Sequence, residues 1–251
     1  MSEDWLAPPT GFRLLSGQVQ VWRASLDRSQ AEQDAFWQFL APAEQARAER
    51  FRFDIHRHYY IVGRGLLRWL IGKYLEVSPA AVEFIYSKYD KPALGADPTF
   101  CFNVSHSHGK LLIGFVWGAD LGVDIEQVCP LDGMDAIARR FFSEAENLDY
   151  AQVPAELRPE AFFNCWTRKE AFIKAVGEGL SFPLDEFDVT LLPAEPAALR
   201  SVRGSVHEAA RWSMVTLDPF PGYRGALVWQ GTGMACTFWD GDAVTGDELV
   251  A

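Results

Sequence analysis

Two carboxylates, Asp124 and Glu126, are separated by a single residue in the apolar stretch LGVDIEQV. Alternate side chains of a β-strand point to the same face, so Val123 and Ile125 would enter the core while both carboxylates project from the opposite face. Two like charges that close repel unless a cation lies between them. Ligand sets made only of oxygen favour Mg²⁺, Mn²⁺ or Ca²⁺ over zinc. A solvated strand face carrying two acids is the simpler alternative.

A carboxylate and an ammonium group also occur where a helix should be apolar, in the stretch FNCWTRKEAFIK. At about 100° per residue, Glu170 falls between Phe163 and Trp166 on the inward face, and Lys174 follows at i+4 on that face. One interpretation is an internal ion pair between helix and sheet, which by itself is weak evidence for stability. The other is that Glu170 joins Asp124 and Glu126 at one divalent cation, beside an ammonium that binds phosphate.

Polar side chains end the strand in the stretch FNVSHSHGK. A nucleophilic serine needs a neighbouring base and an oxyanion hole, and the sequence has no GxSxG elbow, so hydrolase chemistry is disfavoured. Hydrogen bonds from Ser105 and His106 to a phosphate fit the pattern better. Capping of the strand end by Asn103 and Ser105 is the structural alternative.

Basic side chains are concentrated between residues 47 and 68. Arg64 lies in the apolar arc of a predicted helix with Tyr60 and Leu67, where a guanidinium needs an anionic partner. An internal carboxylate is favoured over a ligand for that role. Lys91 lies in a turn, where exposed lysines are common, so its pattern alone does not separate a structural from a binding role.

The bulk composition limits the classes of function. The chain has 251 residues, 49% of them hydrophobic, and a formal net charge of -11. The negative charge disfavours nucleic-acid binding, which depends on clustered Lys and Arg, but a local basic cluster can still bind a small anionic ligand. No apolar run is long enough to cross a membrane, and the N-terminus lacks the positive charge of a signal peptide. We therefore predict a cytoplasmic protein without nucleic-acid or membrane partners.

Periodicity predicts an α+β fold with helices and strands in both halves. Helices are predicted near 30–50 with a break at Pro42, then at 56–75, 132–140, 143–151 and through FNCWTRKEAFIK, and strands at VEFIYS, TFCFNV, LLIGFVW, LGVDIEQV, EFDVTLL, RWSMVTL and YRGALVWQ. Both halves run from a long helix through a proline-containing cap to strands. Helix followed by strand is a common order, but if this one is an internal repeat it implies two similar lobes, residues 1–118 and 119–251, with a cleft between them. The acidic tail after Asp240 is predicted to be loose.

Four motifs in register resemble a known family. The stretches FNVSHS, LGVDIE, RRFFSEAE and WTRKEAFIKAVGEGL, in this order and at these separations, resemble the larger, monomeric 4'-phosphopantetheinyl transferases, the class that activates surfactin synthetase. The resemblance runs from about Pro42 to Leu192. It implies a pseudo-dimer of two similar α/β lobes with the active site in the cleft between them.

The resemblance also implies roles for individual residues. The magnesium ligands of the family fall on Asp124, Glu126 and Glu170, with Mn²⁺ as an alternative ion. The catalytic lysines fall on Lys169 and Lys174, and Glu170, or a water that it orients, is the favoured base. The coenzyme A contacts fall on Lys91, Ser105, His106 and Lys174, with Arg47 at a position used for the nucleotide phosphates.

The implied reaction transfers the 4'-phosphopantetheine arm of coenzyme A to a serine of an apo carrier protein, with Mg²⁺ as cofactor. Acyl, peptidyl and aryl carriers are all compatible with the sequence. The family usually has Gly-Lys-Pro where this chain has Asp90-Lys91-Pro92, so either the turn that presents Lys91 differs or the carboxylate of Asp90 weakens the attraction of Lys91 for phosphate. Because carrier proteins are acidic, the segment Arg139 to Phe142 is the predicted docking face.

Overall fold

The structure is a computed structural model, and it describes residues 4–89, 91–129, 132–244 and 249. Asp90, on which the predicted difference in the Lys91 turn depends, lies outside the described residues. Within them the chain is α+β, as predicted. The α-helices are α1 (Gln30–Phe39), α2 (Pro42–Ala48), α3 (Asp54–Leu75), α4 (Met134–Phe141), α5 (Glu144–Ala151), α6 (Arg158–Val176) and α7 (Val206–Ala209). No helix in the described part of the chain is both long and apolar enough to span a membrane.

The strands form two larger sheets and two small hairpins. The strands are β1 (Gln18–Ser25), β2 (Phe84–Tyr86), β3 (Pro92–Leu94), β4 (Phe100–Ser107), β5 (Lys110–Trp117), β6 (Leu121–Gln127), β7 (Phe187–Val189), β8 (Leu199–Val202), β9 (Trp212–Leu217), β10 (Tyr223–Gln230) and β11 (Ala235–Asp240). The first sheet has the order β11-β1-β5-β4 and the second has the order β6-β10-β9. The pairs β2-β3 and β7-β8 are separate.

The two halves of the chain repeat one order of elements. Each begins with a strand, continues through helices that end in a long one, forms a two-stranded hairpin and returns with two more strands. In each larger sheet the last of these strands lies between the other two, as β5 does in β1-β5-β4 and β10 does in β6-β10-β9. The order seen in the sequence therefore extends to the pairing of strands.

The core has three parts, because both larger sheets bury side chains on two faces. One cluster lies between the sheets and includes Val19, Val21, Leu112, Val123, Ile125 and Leu227. The alternate residues of β5, such as Ile113 and Phe115, join α1 and α3 in a second cluster. The outer face of the second sheet packs on α6 in a third. Since Val123 and Ile125 point between the sheets, Asp124 and Glu126 point towards α6.

The C-terminal segment returns to the first half of the chain, and it corrects the prediction of a loose tail. Strand β11 pairs in parallel with β1, so residues 235–240 belong to the first sheet although they lie beyond the predicted boundary at 118/119. The tail is not loose as far as residue 244, because Asp240 forms an ion pair with Arg23 at 2.6 Å and Asp242 forms one with Arg28 at 2.6 Å. Local acidity predicted a solvated tail, but the partners of these acids lie more than 200 positions earlier in the chain.

Helix α6 packs directly on the backbone of β6 at Gly122. A Cβ atom at Gly122 would collide with the carbonyl oxygen of Ala171 and would lie 2.5 Å from the amide nitrogen of Ala175. Both are backbone atoms, which cannot move without displacing the helix. The close approach brings Lys174 of α6 beside Asp124 of β6, so the contact between these two side chains depends on the absence of a Cβ at this glycine.

We therefore expect Gly122→Ala to destabilise the protein by about 1–3 kcal/mol, the usual cost of forcing an extra carbon into a packed core. Chemical denaturation followed by circular dichroism measures this loss. Gly63→Ala is the matched control, because a Cβ there meets Leu26 at an ordinary 3.4 Å. Equal stability of the two variants would contradict the close contact between α6 and β6.

Candidate active site

The candidate site lies on the seam where β4 and β6, edge strands of different sheets, run beside each other. Side chains rather than a backbone ladder connect them. Asn103 Oδ1 accepts a hydrogen bond from the amide of Val123 at 3.0 Å, and Ser105 Oγ accepts one from the amide of Ile125 at 3.4 Å. Asn103 and Ser105 thus have a structural role, but they bridge from within β4 to β6 and do not cap the end of their strand. The same arrangement places Ser105 beside Asp124.

Asp124, Ser105 and Lys174 form a compact hydrogen-bonded cluster. Asp124 Oδ1 accepts hydrogen bonds from Ser105 Oγ at 2.8 Å and from Lys174 Nζ at 2.6 Å, and Lys174 Nζ also donates to Ser105 Oγ at 2.9 Å. The Asp124 side chain is 4% exposed, whereas that of Lys174 is 29% exposed. The ammonium therefore neutralises a buried carboxylate and still reaches solvent, where a ligand can meet it.

The second carboxylate of the pair is held by a serine that the sequence analysis did not single out. Ser107 Oγ donates a hydrogen bond to Glu126 Oε2 at 2.7 Å and lies 3.0 Å from His108 Nδ1. Burial raises the pKa of Glu126, and the neighbouring Asp124 raises it further, while the bond from Ser107 opposes both. The sequence contained a sign of this role for Ser107. Ser105 and Ser107 are two positions apart on β4 and so share one face, as Asp124 and Glu126 do on β6.

Glu170 faces the same two carboxylates from α6. Burial raises the pKa of Glu170 to about 7, with Asp124 adding to the effect and Lys174 opposing it. Glu126 raises the pKa of Glu170 as well. A carboxyl group in this position exchanges its proton near neutral pH, as a general base must.

The residues of this cluster fit a divalent cation by their donor type. Asp124 Oδ2 is buried and has no hydrogen-bond partner among the described residues, an arrangement that costs free energy unless something satisfies the oxygen. Across the described part of the chain, however, no three His, Cys, Asp or Glu side chains are already grouped as a metal site. The predicted ligand set therefore stays a prediction, supported by one orphaned oxygen and three mutually repelling acids.

A cavity of about 780 Å³ opens beside this cluster, within the range of ligand-binding pockets. Arg47, Tyr60, Arg64 and His106 are part of its lining. The guanidinium of Arg47 lies 5.4 Å from the centre of the Tyr60 ring. Burial lowers the pKa of His106, and the ammonium of Lys174 lowers it further. The structure thus brings Arg47 and His106 to one cavity, and the ammonium of Lys174 is close enough to His106 to affect its pKa.

Arg64 has the internal partner that its position predicted. Its Nε lies 3.4 Å from Glu44 Oε1, and its Nη2 donates to the hydroxyl of Tyr86 at 3.2 Å. Glu44 is shared, because Arg68 donates to it at 2.6 Å. Arg64 Nη1 is buried without a partner in the described structure. The lining of the cavity therefore includes two guanidinium groups, those of Arg47 and Arg64, of which Arg64 is paired with Glu44.

Two predicted site lysines are not brought to this cluster. Lys169 is 0% exposed and forms an ion pair with Glu146 at 2.8 Å, on the side of α6 that faces the second hairpin. Lys169 Nζ also donates to the carbonyls of Leu184 at 2.6 Å and Phe187 at 2.7 Å. One step along a helix turns a side chain by about 100°, so Lys169 and Glu170 face different partners. The catalytic role predicted for Lys169 has no support in this geometry.

Lys91 is directed to the end of α6 and not into the basic cavity. Its ammonium donates to the carbonyls of Ala175 at 3.0 Å and Leu121 at 3.4 Å. Burial lowers the pKa of Lys91, and the carboxylate of Asp120 opposes this effect. The predicted coenzyme A contact at Lys91 is therefore not supported by where its side chain lies.

An apolar groove of about 220 Å³ lies on the other side of Glu126. Phe162, Phe163 and Trp166 of α6 and Ile137 of α4 are among its lining residues. Helix α4 also carries Arg139 and Arg140, which are exposed, whereas Phe142 is buried in the core. Phe141 packs edge-on against Trp166. Of the four residues predicted for docking, Arg139 and Arg140 are thus exposed and Phe141 contacts a lining residue of the groove, whereas Phe142 is buried.

Buried carboxylates beside an ammonium and a cationic cavity are typical of enzymes that act on phosphate esters. Comparison with known proteins gives the family. Residues 120–228 match the model of the 4'-phosphopantetheinyl transferase superfamily, and residues 22–114 match that of the 4'-phosphopantetheinyl transferase N-terminal region. This chain belongs to the 4'-phosphopantetheinyl transferase superfamily.

Individual relatives agree with that membership. The chain is 35% identical to the 4'-phosphopantetheinyl transferase HetI of Nostoc sp. over 242 residues, which cover 95% of this chain and 99% of HetI. It is 33% identical to the 4'-phosphopantetheinyl transferase Sfp of Bacillus subtilis over 175 residues, which cover 69% of this chain and 77% of Sfp. The match to HetI spans both halves of the fold.

Proposed function

We propose that this protein transfers the 4'-phosphopantetheine arm of coenzyme A to a serine of an apo carrier protein. The cluster in which Lys174 and Ser105 both contact the buried Asp124, next to the cavity lined by Arg47 and His106, carries the proposal. The ammonium of Lys174 can bind a phosphate, the carboxylate of Asp124 can bind a cation, and the neighbouring cavity has room for a nucleotide. Family membership and the names of HetI and Sfp support the same reaction.

Coenzyme A would lie in the cavity lined by Arg47 and His106, with its diphosphate towards Lys174. The ammonium of Lys174 is only part-exposed, so it stays oriented by Asp124 while it binds the diphosphate. Positive groups fixed in advance stabilise charge that develops on a leaving group without further reorganisation. Ser105 orients Asp124 and Lys174 through its hydrogen bonds to both. Its effect on coenzyme A is therefore exerted through the position of Lys174.

The chemistry joins one oxygen to phosphorus and releases another. The serine Oγ of the carrier forms a bond to the β-phosphorus of coenzyme A, the bond from that phosphorus to the bridging oxygen breaks, and 3',5'-ADP leaves. Glu170, directly or through a water that it orients, accepts the proton of the serine hydroxyl. Asp124, Glu126 and Glu170 would hold Mg²⁺ or Mn²⁺. The ion, when bound, neutralises charge on the diphosphate.

We infer further that the two similar α/β lobes form a pseudo-dimer whose cleft is the active site. The shared strand order of the two sheets and the position of the acids on the β4/β6 seam support this. The carrier would dock on the apolar groove beside Glu126, with Arg139 and Arg140 of α4 meeting its acidic surface. We also expect a monomer located in the cytoplasm.

Incubation with coenzyme A, Mg²⁺ and an apo carrier protein tests the proposal. We expect the mass of the carrier to rise by that of the phosphopantetheine arm, and acyl, peptidyl and aryl carriers provide the panel. A non-catalytic nucleotide-binding module would bind coenzyme A without Mg²⁺ and leave every carrier unchanged. A phosphohydrolase would release product from coenzyme A with no carrier present. Either result would contradict the proposed transfer.

A further inference from the structure

Lys91 connects three separate parts of the fold through one ammonium group. It follows the hairpin strand β2 and directly precedes β3, in the first half of the chain. Its two acceptors are Leu121, the first residue of β6, and Ala175, in the last turn of α6. Strand β6 carries Asp124 and Glu126, and α6 carries Glu170 and Lys174. A single side chain from one half therefore binds both elements that carry the acid and lysine cluster.

The hydrogen bond from Lys91 to α6 is favourable because it lies at the C-terminal end of the helix. The carbonyl of Ala175 is among the last four of the helix, which have no amide partner inside it. A cation at this end also interacts favourably with the helix dipole. The helix stops at Gly177, with φ of 79°, and a Cβ there would lie only 3.2 Å from Lys91 Cδ. The stem of Lys91 thus passes closely over the end of α6.

Lys174 precedes Ala175 directly, so a shift of the carbonyl that Lys91 binds also shifts the ammonium at Asp124. The contact between Lys174 Nζ and Asp124 Oδ1 is 2.6 Å, and that between Lys91 Nζ and Ala175 O is 3.0 Å. A misplacement of about 1 Å in a catalytic group can cost a hundredfold in rate. The hydrogen bond from Lys91 is therefore placed where it can affect the position of the Lys174 ammonium.

We propose that Lys91 is a positioning residue, which holds the end of α6 against β6 so that Lys174 and Glu170 keep their places beside Asp124. On this view Lys91 does not bind the phosphates of coenzyme A, and its ammonium serves the two carbonyls instead. The inference rests on the proposed transferase function for its kinetic consequence. It also ties the first hairpin to the chemistry performed in the second half of the chain.

Lys91→Met keeps most of the stem and removes the ammonium. We expect kcat for carrier modification to fall about 10- to 100-fold, because Lys174 and Glu170 lose their alignment. The affinity for adenosine 3',5'-bisphosphate, measured by calorimetry, should stay within about twofold of wild type, because Lys91 makes no phosphate contact. Lys91→Arg, which still donates two hydrogen bonds, should recover much of the lost kcat.

Lys88→Met is the matched control, since Lys88 lies in the same turn, is exposed and stacks on Tyr89. It should leave both kcat and bisphosphate affinity unchanged. If Lys91→Met does not fold, Lys91→Gln, whose amide can still donate to one carbonyl, should show a smaller fall in kcat with affinity kept. A tenfold loss of bisphosphate affinity in either variant, or a kcat equal to wild type, overturns the inference. Failure of the wild type to modify any carrier would instead reject the proposed function.

Discussion

Replacing Glu170 with glutamine is expected to reduce transfer of the phosphopantetheine arm at least about a hundredfold, the contribution of a well-placed general base. The amide of glutamine can neither accept the serine proton nor offer a full negative charge to a divalent cation. Mass spectrometry of the carrier, at saturating coenzyme A and Mg²⁺, measures the loss. Glu178→Gln is the control, because Glu178 is an exposed carboxylate just beyond the end of α6, and its loss should have no effect.

The same variant should fold, and its stability carries a pH signature. Burial and the neighbouring acids raise the pKa of Glu170 from 4.5 to about 7, so the native state binds more protons than the unfolded state between these values. The wild type therefore loses stability as pH rises through this window, and Glu170→Gln lacks this contribution. In the absence of divalent cations, the unfolding free energy of Glu170→Gln minus that of the wild type should increase from pH 4.5 to pH 7.

Two outcomes would contradict this account of Glu170. Near-normal transfer by a folded Glu170→Gln variant would remove the residue from the mechanism. A difference in unfolding free energy between variant and wild type that stays constant across the pH window would mean that Glu170 is not held against Asp124 and Glu126.

The second large effect concerns Lys169, which directly precedes Glu170 in the sequence but has a different partner, Glu146. Lys169→Met should destabilise the protein by about 3–5 kcal/mol, since it leaves Glu146 buried without its partner. Glu146 also accepts hydrogen bonds from the amides of Ser143 at 2.8 Å and Val189 at 2.7 Å, so its charge cannot move to solvent without breaking both. Denaturation midpoints and unfolding free energies measure the loss.

A double variant separates a structural from a catalytic role of Lys169. In Lys169→Met with Glu146→Gln, no buried charge is left unpaired, and the glutamine oxygen still accepts one amide hydrogen bond. We expect this protein to regain much of the lost stability and to transfer the arm within about tenfold of wild type, since an uncharged replacement of a buried pair is often well tolerated. A well-folded double variant that has lost transfer a hundredfold would show that Lys169 takes part in the reaction.

The pairing of β1 with β11 shows that local sequence patterns do not specify which strands pair with each other. The stretch QVQVWRAS alternates as a strand should, yet the sequence analysis did not assign it, and ACTFWD was missed as well. Their register becomes visible only when the second half of the chain returns to the first sheet. The same return gives Asp240 and Asp242 their arginine partners, which turned a predicted loose tail into an ordered one.

The sequence by itself determined which side chains share a face. The alternation of β6 placed Asp124 opposite Val123, and the helical spacing of α6 placed Glu170 with Lys174, because these relations follow from backbone geometry within a few residues. It also supported family membership, since motif order and spacing are properties of the chain. The α+β class and most of the helices followed from the same local periodicity.

The tertiary structure alone decided what each face meets. It separated Lys174, which reaches Asp124, from Lys169, which is closed in with Glu146, although both are lysines of one helix. It turned Lys91 to the end of α6 and brought Ser107 to Glu126. The reason is physical: a helix specifies directions around its own axis, but the surroundings in each direction come from segments distant in sequence, whose packing no short window encodes.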